Sequence, residues 1–283
     1  MKRSILKFIV IVLALIMIIP IIFVVVGSFM SPDELKEYLA PILGNKSGFI
    51  NWPLIPQYPT LKSLVKLLLD SPEFFVMFWN SVFLVVAILF GQVLISTPAA
   101  WAFAQYKFPC KKILFTLYIV VMLMPFQVTM LSSYLVLDKF SMINTRLSLI
   151  VPGIFSTFPV FIMYRFFKNI PKNVLESARI DGAGETKIFL KIGIPLGLPG
   201  IMSSMVLEFI EYWNLIEQPI TFIKNQSKWP LSLYLPNISL ENVDMAFIAS
   251  LVTLVTSLIV FFAGQKYLKE GISAEGLERS SLC

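Results

Sequence analysis

The chain has 283 residues, of which 57% are hydrophobic and 14% charged, and its mean hydropathy is +0.80. Soluble domains carry about 25% charged residues, so this chain has more apolar surface than a water-facing protein can bury, which indicates a membrane protein. The net charge of +6 would suggest nucleic acid in a soluble protein, but here it is assigned to loops, and no nucleic-acid partner is expected.

The sequence contains no histidine and has two cysteines, Cys110 and Cys283. The absence of histidine excludes histidine metal ligands and Ser-His-Asp triads in this chain. The two cysteines do not show the spacing of a zinc site. We therefore expect neither catalytic nor metal-binding residues here.

Six apolar stretches are long enough to cross a bilayer as helices, which takes about 20 residues each. In chain order they are 5–29, 75–99, 112–132, 148–166, 196–216 and 244–264. The first is longer than the hydrophobic core of a signal peptide, about 7–15 residues, and is interpreted as a retained span. The pattern predicts an all-α membrane protein with six transmembrane helices in a single domain, residues 1–283.

The distribution of lysine and arginine residues between loops predicts the orientation of the chain in the membrane. With the N-terminus inside, about two thirds of these residues fall in inside segments, which indicates that both termini are cytoplasmic. The longest outside segment, 30–74, is broken by prolines, and residues 61–69 predict a short helix within it. Whether this segment only connects spans or contacts a partner stays open.

The inside segment between the fourth and fifth spans, residues 168–192, differs from the other loops. Pro171 predicts the start of a helix, with Leu175, Ala178 and Ile180 on its apolar side. Residues 181–184 predict a break, after which 186–192 predict a second helix that Pro195 ends or kinks. The mixed charges suit docking to another protein, whereas a passive helix on the membrane surface favours a purely basic polar face.

This segment resembles the EAA motif of ABC importer permeases, which reads Glu-Ala-Ala, three residues, Gly, nine residues, Ile-x-Leu-Pro. Glu176, Ala178, Gly182, Ile192 and Pro195 match it. Ser177 and Ile194 replace Ala and Leu. Residues 102–109, 124–125, 144–145, 212–214 and 265–271 also resemble the maltose-permease-like carbohydrate group, in its compact six-span subunit.

The resemblance implies the type I ABC importer permease fold and a subunit of a binding-protein-dependent importer for a sugar or oligosaccharide, in the bacterial inner (cytoplasmic) membrane. The implied partners are a second, homologous permease, two identical or different ATPase subunits, and an extracellular solute-binding protein. The chain itself would be no enzyme and bind no cofactor, with ATP and Mg²⁺ on the ATPases. The sequence contains no GxxxxGK[ST] motif, the phosphate-binding loop of many ATPases, which agrees with ATP binding on other subunits. The implied ATPase-coupling residues are Glu176, Ser177, Ala178, Asp181, Gly182 and Ala183.

The fifth span contains two acidic residues, Glu208 and Glu211, three apart on one helical face, followed by Trp213 and Asn214. Acids at membrane depth usually face the interior of a helix bundle or a water-filled cavity. Because carboxylate, amide and indole groups suit hydroxyl-rich solutes, these four residues are predicted to line the solute path. The alternative is a structural pair satisfied by a neighbouring helix or by the partner permease. Polar residues of the second span, among them Gln92, are interpreted as helix-packing residues.

Two further functions remain open on the sequence. The chain could be an ion-coupled secondary transporter, which would transport alone and leave the 168–192 segment without a purpose. It could also be an ABC importer permease for a solute that is not a sugar.

Overall fold

A computed structural model describes residues 2–43, 52–53, 55–234 and 242–280 of the chain. The α-helices in chain order are α1 Lys2–Ser28, α2 Pro32–Leu43, α3 Lys62–Asp70, α4 Pro72–Gln105, α5 Lys111–Met122, α6 Phe126–Lys139, α7 Leu147–Ile154, α8 Phe158–Lys168, α9 Lys172–Ile180, α10 Glu185–Ile188, α11 Ile194–Trp213, α12 Glu217–Phe222 and α13 Val243–Ser280. A π-helical turn, Phe189–Gly193, joins α10 to α11. The all-α prediction is confirmed for the described residues.

Five helical stretches in the described part of the chain are long and apolar enough to cross a membrane. They are Leu6–Ser28, Pro72–Gln105, Leu147–Lys168, Glu185–Trp213 and Val243–Lys269. The pair α5 and α6 makes a sixth when it is counted as one bent span. Each predicted span thus has a helical counterpart.

The third predicted span, 112–132, is not one straight helix. α5 and α6 meet at an angle of 103° across residues 123–125. Pro125 precedes α6 with extended backbone, and a proline disfavours helical backbone in the residue before it. The bend therefore lies at the proline of the stretch 112–132, which the sequence analysis counts as one span.

The chain divides into two compact units. One comprises Met1–Phe78 and Leu231–Thr256, and the other Trp79–Pro230 and Ser257–Cys283. The first unit includes most of the predicted outside segment, and α3 confirms the short helix expected at 61–69. The sequence analysis did not predict α2. Residues 44–51 and 54 of this segment lie outside the described residues.

The outside segment is folded against the helices of its own unit. Buried Glu34 of α2 accepts hydrogen bonds from the backbone N–H groups of Gln57 at 2.8 Å and Tyr58 at 3.3 Å. Ser63 of α3 donates to the Asp244 carboxylate of α13 at 3.0 Å. These buried and partly buried bonds indicate a defined structure rather than a bare connector.

In the second unit, α8 and α11 pack closely along each other. Two glycines of α11 make this approach feasible, because a Cβ atom at Gly197 would overlap the Phe167 ring and one at Gly200 would lie 2.5 Å from Phe166. At one end of this helix pair, buried side chains of α4, α8, α9 and α10 form one apolar cluster. Its fully buried members include Trp101, Met163, Phe167, Leu175 and Ile188. This cluster holds the 168–192 segment in place.

Candidate functional site

The segment between α8 and α11 is anchored by two buried side chains. Pro171 has extended backbone and precedes α9, as the sequence predicts. Leu175 of α9 is 2% exposed and Ile188 of α10 is fully buried, both in the apolar cluster with Trp101. Both helices of the segment therefore share one core with the helices on which they pack.

The predicted break at 181–184 is a Schellman motif. Gly182 has φ of +78°, the Ala183 N–H donates to the Ala178 carbonyl at 3.0 Å, and the Gly182 N–H donates to the Arg179 carbonyl at 3.0 Å. These two bonds satisfy carbonyl groups at the end of α9, and a left-handed glycine closes the helix. The prediction that glycine permits the turn is confirmed.

An ion pair spans this turn. Arg179 Nε lies 2.7 Å from Glu185 Oε1, and the Tyr106 hydroxyl donates to Glu185 Oε2 at 3.3 Å. The hydrogen bond to Glu185 raises the pKa of the Arg179 guanidinium above its ordinary value. Because the two side chains are 41% and 47% exposed, solvent screening limits the pair to less than about 1 kcal/mol. The ion pair therefore contributes mainly to the orientation of the turn at residues 181–184.

The second helix of the segment does not end at Pro195. It begins at Glu185, passes through the π-helical turn Phe189–Gly193 and continues as α11 to Trp213. In the π turn the Ile194 N–H donates to the Phe189 carbonyl, five residues back, and Pro195 follows in the first turn of α11, where its missing N–H is tolerated. The predicted stop at Pro195 is therefore wrong, and the segment is continuous with the fifth span.

The surface of α9 that faces away from the cluster is exposed. Ile180 at its end is 86% exposed, although the sequence analysis places it on the apolar packing side with Leu175. The other predicted coupling residues surround it. Glu176, Ser177, Asp181 and Gly182 are exposed, whereas Ala178 and Ala183 are half-buried against the cluster. The end of α9 thus presents one exposed isoleucine among carboxylates.

A cavity of about 520 Å³ lies beside α11 in the same unit. Its polar lining residues are Ser156, Glu208, Glu211, Tyr212 and Gln218, and its apolar lining residues are Met122, Phe158, Leu207, Ile210 and Leu215. Its size falls in the range of small-molecule sites, about 300–1,000 Å³.

A buried hydrogen-bond network fixes Glu208. Gln92 of α4, fully buried, donates through Nε2 to Glu208 Oε2 at 2.8 Å and to the Gly153 carbonyl at 2.9 Å. The Ser156 hydroxyl donates to Glu208 Oε1 at 3.5 Å, and the Tyr212 hydroxyl donates to the Gly153 carbonyl at 3.4 Å. Glu208 is 3% exposed, so the network supplies the partners that a buried carboxyl group requires.

The network includes a break in the fourth candidate span. α7 ends at Ile154 and α8 begins at Phe158, with Pro152 and Pro159 on the two sides. Ser156 lies in this break and lines the cavity. Irregular backbone at membrane depth is tolerated where it is buried in protein or lines a water-filled cavity.

Trp213 and Asn214 do not line this cavity. Trp213 is 1% exposed and its indole stacks on Phe209 with centroids 5.4 Å apart. Asn214 is exposed and donates to the Ile210 carbonyl at 2.8 Å. The structure thus brings Glu208 and Glu211 together at one cavity and places the other two predicted path residues elsewhere.

Comparison with known proteins places the chain in a family. The profile of the family described as binding-protein-dependent transport system inner membrane component matches residues 92–273, more than half of the chain. The chain belongs to this family. It is therefore a membrane permease component of a binding-protein-dependent transport system, and the resemblance found in the EAA segment is confirmed.

Individual relatives cover most of this permease. It is 25% identical over 269 residues to the arabinooligosaccharides transport system permease protein of Halalkalibacterium halodurans, covering 94% of this chain and 93% of that protein. It is 31% identical over 237 residues to a probable ABC transporter permease protein of Pyrococcus horikoshii, covering 81% of this chain and 85% of that one.

A solved structure shares the fold of the permease. A chain of a bacterial ABC transporter involved in the import of the acidic polysaccharide alginate superimposes with a TM-score of 0.77. The sequences are 21% identical, and the match covers 94% of this chain and 96% of that one. The type I ABC importer permease fold is confirmed.

The sequence analysis left open that a neighbouring helix satisfies the acidic pair, and in this permease Gln92 of α4 does so for Glu208. It named Gln92 only as a helix-packing residue and did not name Ser156 or Tyr212 as residues of the cavity. Tyr212 lies four residues after Glu208, a spacing that places both on one helical face and could have indicated a shared site. The pairing with Gln92 joins residues 116 apart and required the structure.

Proposed function

We propose that this chain forms half of the solute path of an ATP-driven importer in the bacterial cytoplasmic membrane, with both termini in the cytoplasm. The observation that carries the proposal is the exposed end of α9, presented on a rigid cluster that is continuous with α11. A helix held in this way transmits displacement to the spans, because packed cores shift between discrete arrangements rather than deforming.

The exposed end of α9 is proposed as the contact with an ATPase subunit. Ile180 supplies an apolar anchor, and Glu176 and Asp181 supply charge around it. Gly182 sets the direction in which the chain turns back, and the half-buried Ala178 and Ala183 leave room for close approach. A secondary transporter would have no use for such a surface. The exposed end of α9 therefore favours coupling to another subunit.

The proposed assembly contains four kinds of component. This chain pairs with a second, homologous permease, two ATPase subunits bind ATP and Mg²⁺ beneath them, and an extracellular binding protein delivers the solute. The family description supports dependence on a binding protein. The chain itself is proposed to bind no cofactor and to catalyse no reaction.

The proposed solute is a sugar or oligosaccharide. The relative from Halalkalibacterium halodurans, which the permease matches over nearly its whole length, is a component of an arabinooligosaccharide transport system. The cavity beside α11 offers carboxylate, hydroxyl and amide groups next to apolar surface, the combination that binds a polyhydroxylated ring. Glu208 and Glu211 are proposed as path residues at this cavity.

The test is reconstitution of the complete importer in proteoliposomes, with ATP inside and loaded binding protein outside. A thermal-shift screen of the cognate binding protein against neutral sugars first selects the solute. We expect ATP-dependent accumulation of that sugar, and its loss in Ile180→Asp, because the added charge opposes docking of an apolar anchor.

The matched control is Ile220→Asp, which changes an isoleucine that is 55% exposed on α12. It should transport at the rate of the unaltered protein. Accumulation without ATP, or equal rates in the two variants, would contradict the proposed coupling.

A further inference from the structure

The wall of the cavity beside α11 has an asymmetric charge. Among the residues that the structure describes, its lining includes two glutamates and no lysine or arginine. Glu211 is exposed, and Glu208 is the group that the Gln92 network holds at the wall.

The charge is effective because apolar side chains surround it. Leu207, Ile210, Leu215, Phe158 and Met122 form the rest of the lining, so fewer water molecules screen the carboxylates than at an open surface. A second anion brought into this space meets like-charge repulsion, and the part of the wall that this chain contributes supplies no compensating cation. An uncharged polyhydroxyl solute instead donates its hydroxyl groups to the carboxylates.

The structure also fixes the position of this charge. Glu208 is held from α4 by Gln92 and from the α7–α8 break by Ser156. Glu211 follows three residues later on the same face of α11. The two carboxyl groups therefore line one side of the cavity in every solute complex that keeps this network.

We propose that the cavity is a charge filter, in which Glu208 and Glu211 admit uncharged or amine-bearing saccharides and exclude saccharides that carry carboxylate or phosphate groups. The proposal rests on the proposed function, since it assigns the solute class of that same cavity. It goes further by predicting what the permease rejects, independently of the specificity of any binding protein.

The experiment measures the electrostatic potential of the cavity directly. In the complete reconstituted importer, Cys110 and Cys283 are replaced by serine and a single reporter is introduced as Ser156→Cys. The mass of this chain then reports its reaction with a positively charged and with a negatively charged methanethiosulfonate reagent. Each rate is divided by the rate of the same reagent with free cysteine.

We expect the normalised rate of the cationic reagent to exceed that of the anionic reagent by about tenfold or more, since a carboxylate several ångströms away shifts a charged reagent by this much. Glu211→Gln should reduce the ratio severalfold, and Glu208→Gln should reduce it less. Glu217→Gln is the control, because Glu217 is exposed, lies outside the cavity lining and accepts from Gln127 at 2.7 Å. It should leave the ratio unchanged.

Gln218→Cys serves as a second reporter on the cavity wall, so that a fold disturbed by one reporter does not decide the result. Equal normalised rates at both reporters, or no reaction with either reagent, would overturn the charge filter. Failure of the proposed function is a separate observation, the absence of ATP-dependent uptake of any neutral sugar by the unaltered importer.

Discussion

Single residues determine the geometry of the turn after α9. Gly182 has φ of +78°, where a side chain is strained, while Gly184 has φ of −68° and ψ of 156°, which any residue adopts. A Cβ atom at either glycine would meet nothing within 4 Å. The two positions therefore separate backbone strain from steric crowding.

We expect Gly182→Ala to destabilise the turn by about 1–2 kcal/mol and to lower solute-stimulated ATP hydrolysis by the assembled importer. Gly182→Pro should abolish the stimulation, because proline cannot adopt a positive φ. Gly184→Ala should behave like the unaltered protein. If the alanine variants at 182 and 184 hydrolyse ATP equally, the turn geometry does not matter for coupling.

The Gln92–Glu208 pair gives a second prediction for individual side chains. Gln92→Leu leaves the buried Glu208 carboxyl group and the Gly153 carbonyl without their amide donor, which should lower the free energy of unfolding by about 2–4 kcal/mol. Adding Glu208→Leu removes the unsatisfied carboxyl group, so the double variant should be more stable than Gln92→Leu alone. Denaturant unfolding in detergent measures both, and strictly additive losses would argue against the pairing.

The role of a single residue can be predicted from the sequence when its chemistry differs from that of its neighbours in the chain. Glu208 and Glu211 stand out because acids are rare in an apolar span, and the glycine of the EAA motif stands out because of its position. Ile180 was placed with Leu175 on the apolar side of α9, and only its 86% exposure identifies it as a surface residue. The contact of Trp213 with Phe209 follows from their spacing of four residues, but sequence spacing leaves open whether that face of α11 is turned toward the cavity.

At the level of helices, the packing of α8 against α11 determines whether movement of α9 reaches the fifth span. α9 follows α8 in the chain, and α10 continues through the π-helical turn into α11, so the segment connects to both members of this pair. The close approach at Gly197 and Gly200 keeps the two helices in register.

Gly197→Ala should therefore destabilise the permease by about 1–3 kcal/mol, because its Cβ atom would overlap the Phe167 ring in a filled core. Leu198→Ala, at the neighbouring position, changes a side chain that is 41% exposed and should cost less. Thermal unfolding of the purified complex compares the two. A larger loss in Leu198→Ala would show that this helix contact is not tightly packed.

Helix breaks were harder to predict than helices. Prolines mark the neighbourhoods of the bend at 123–125 and of the gap at 155–157, but proline is compatible with continuous helix in the first turn, as Pro195 shows. Whether a helix breaks near a proline depends on whether other groups form hydrogen bonds with the backbone N–H and C=O groups that the break leaves without helical partners. Gly153 receives bonds from Gln92 and Tyr212, partners that come from distant parts of the chain.

For the whole molecule, hydropathy and the distribution of basic residues predicted an all-α chain with six spans, because a bilayer requires long apolar helices. The fold of α2 was not predicted, since its burial of Glu34 depends on residues more than twenty positions away. Predictions about partners came from the EAA resemblance, and a single chain contains no direct observation of them.

The central claim, that the end of α9 docks on an ATPase subunit, is tested most directly by crosslinking at Ile180. A photoreactive residue at position 180 in the complete importer should crosslink to an ATPase subunit, with a yield that changes when ATP is bound, while the same group at Ile220 should not. Crosslinking of position 180 to lipid or to the extracellular binding protein, without an ATPase adduct, would contradict the account.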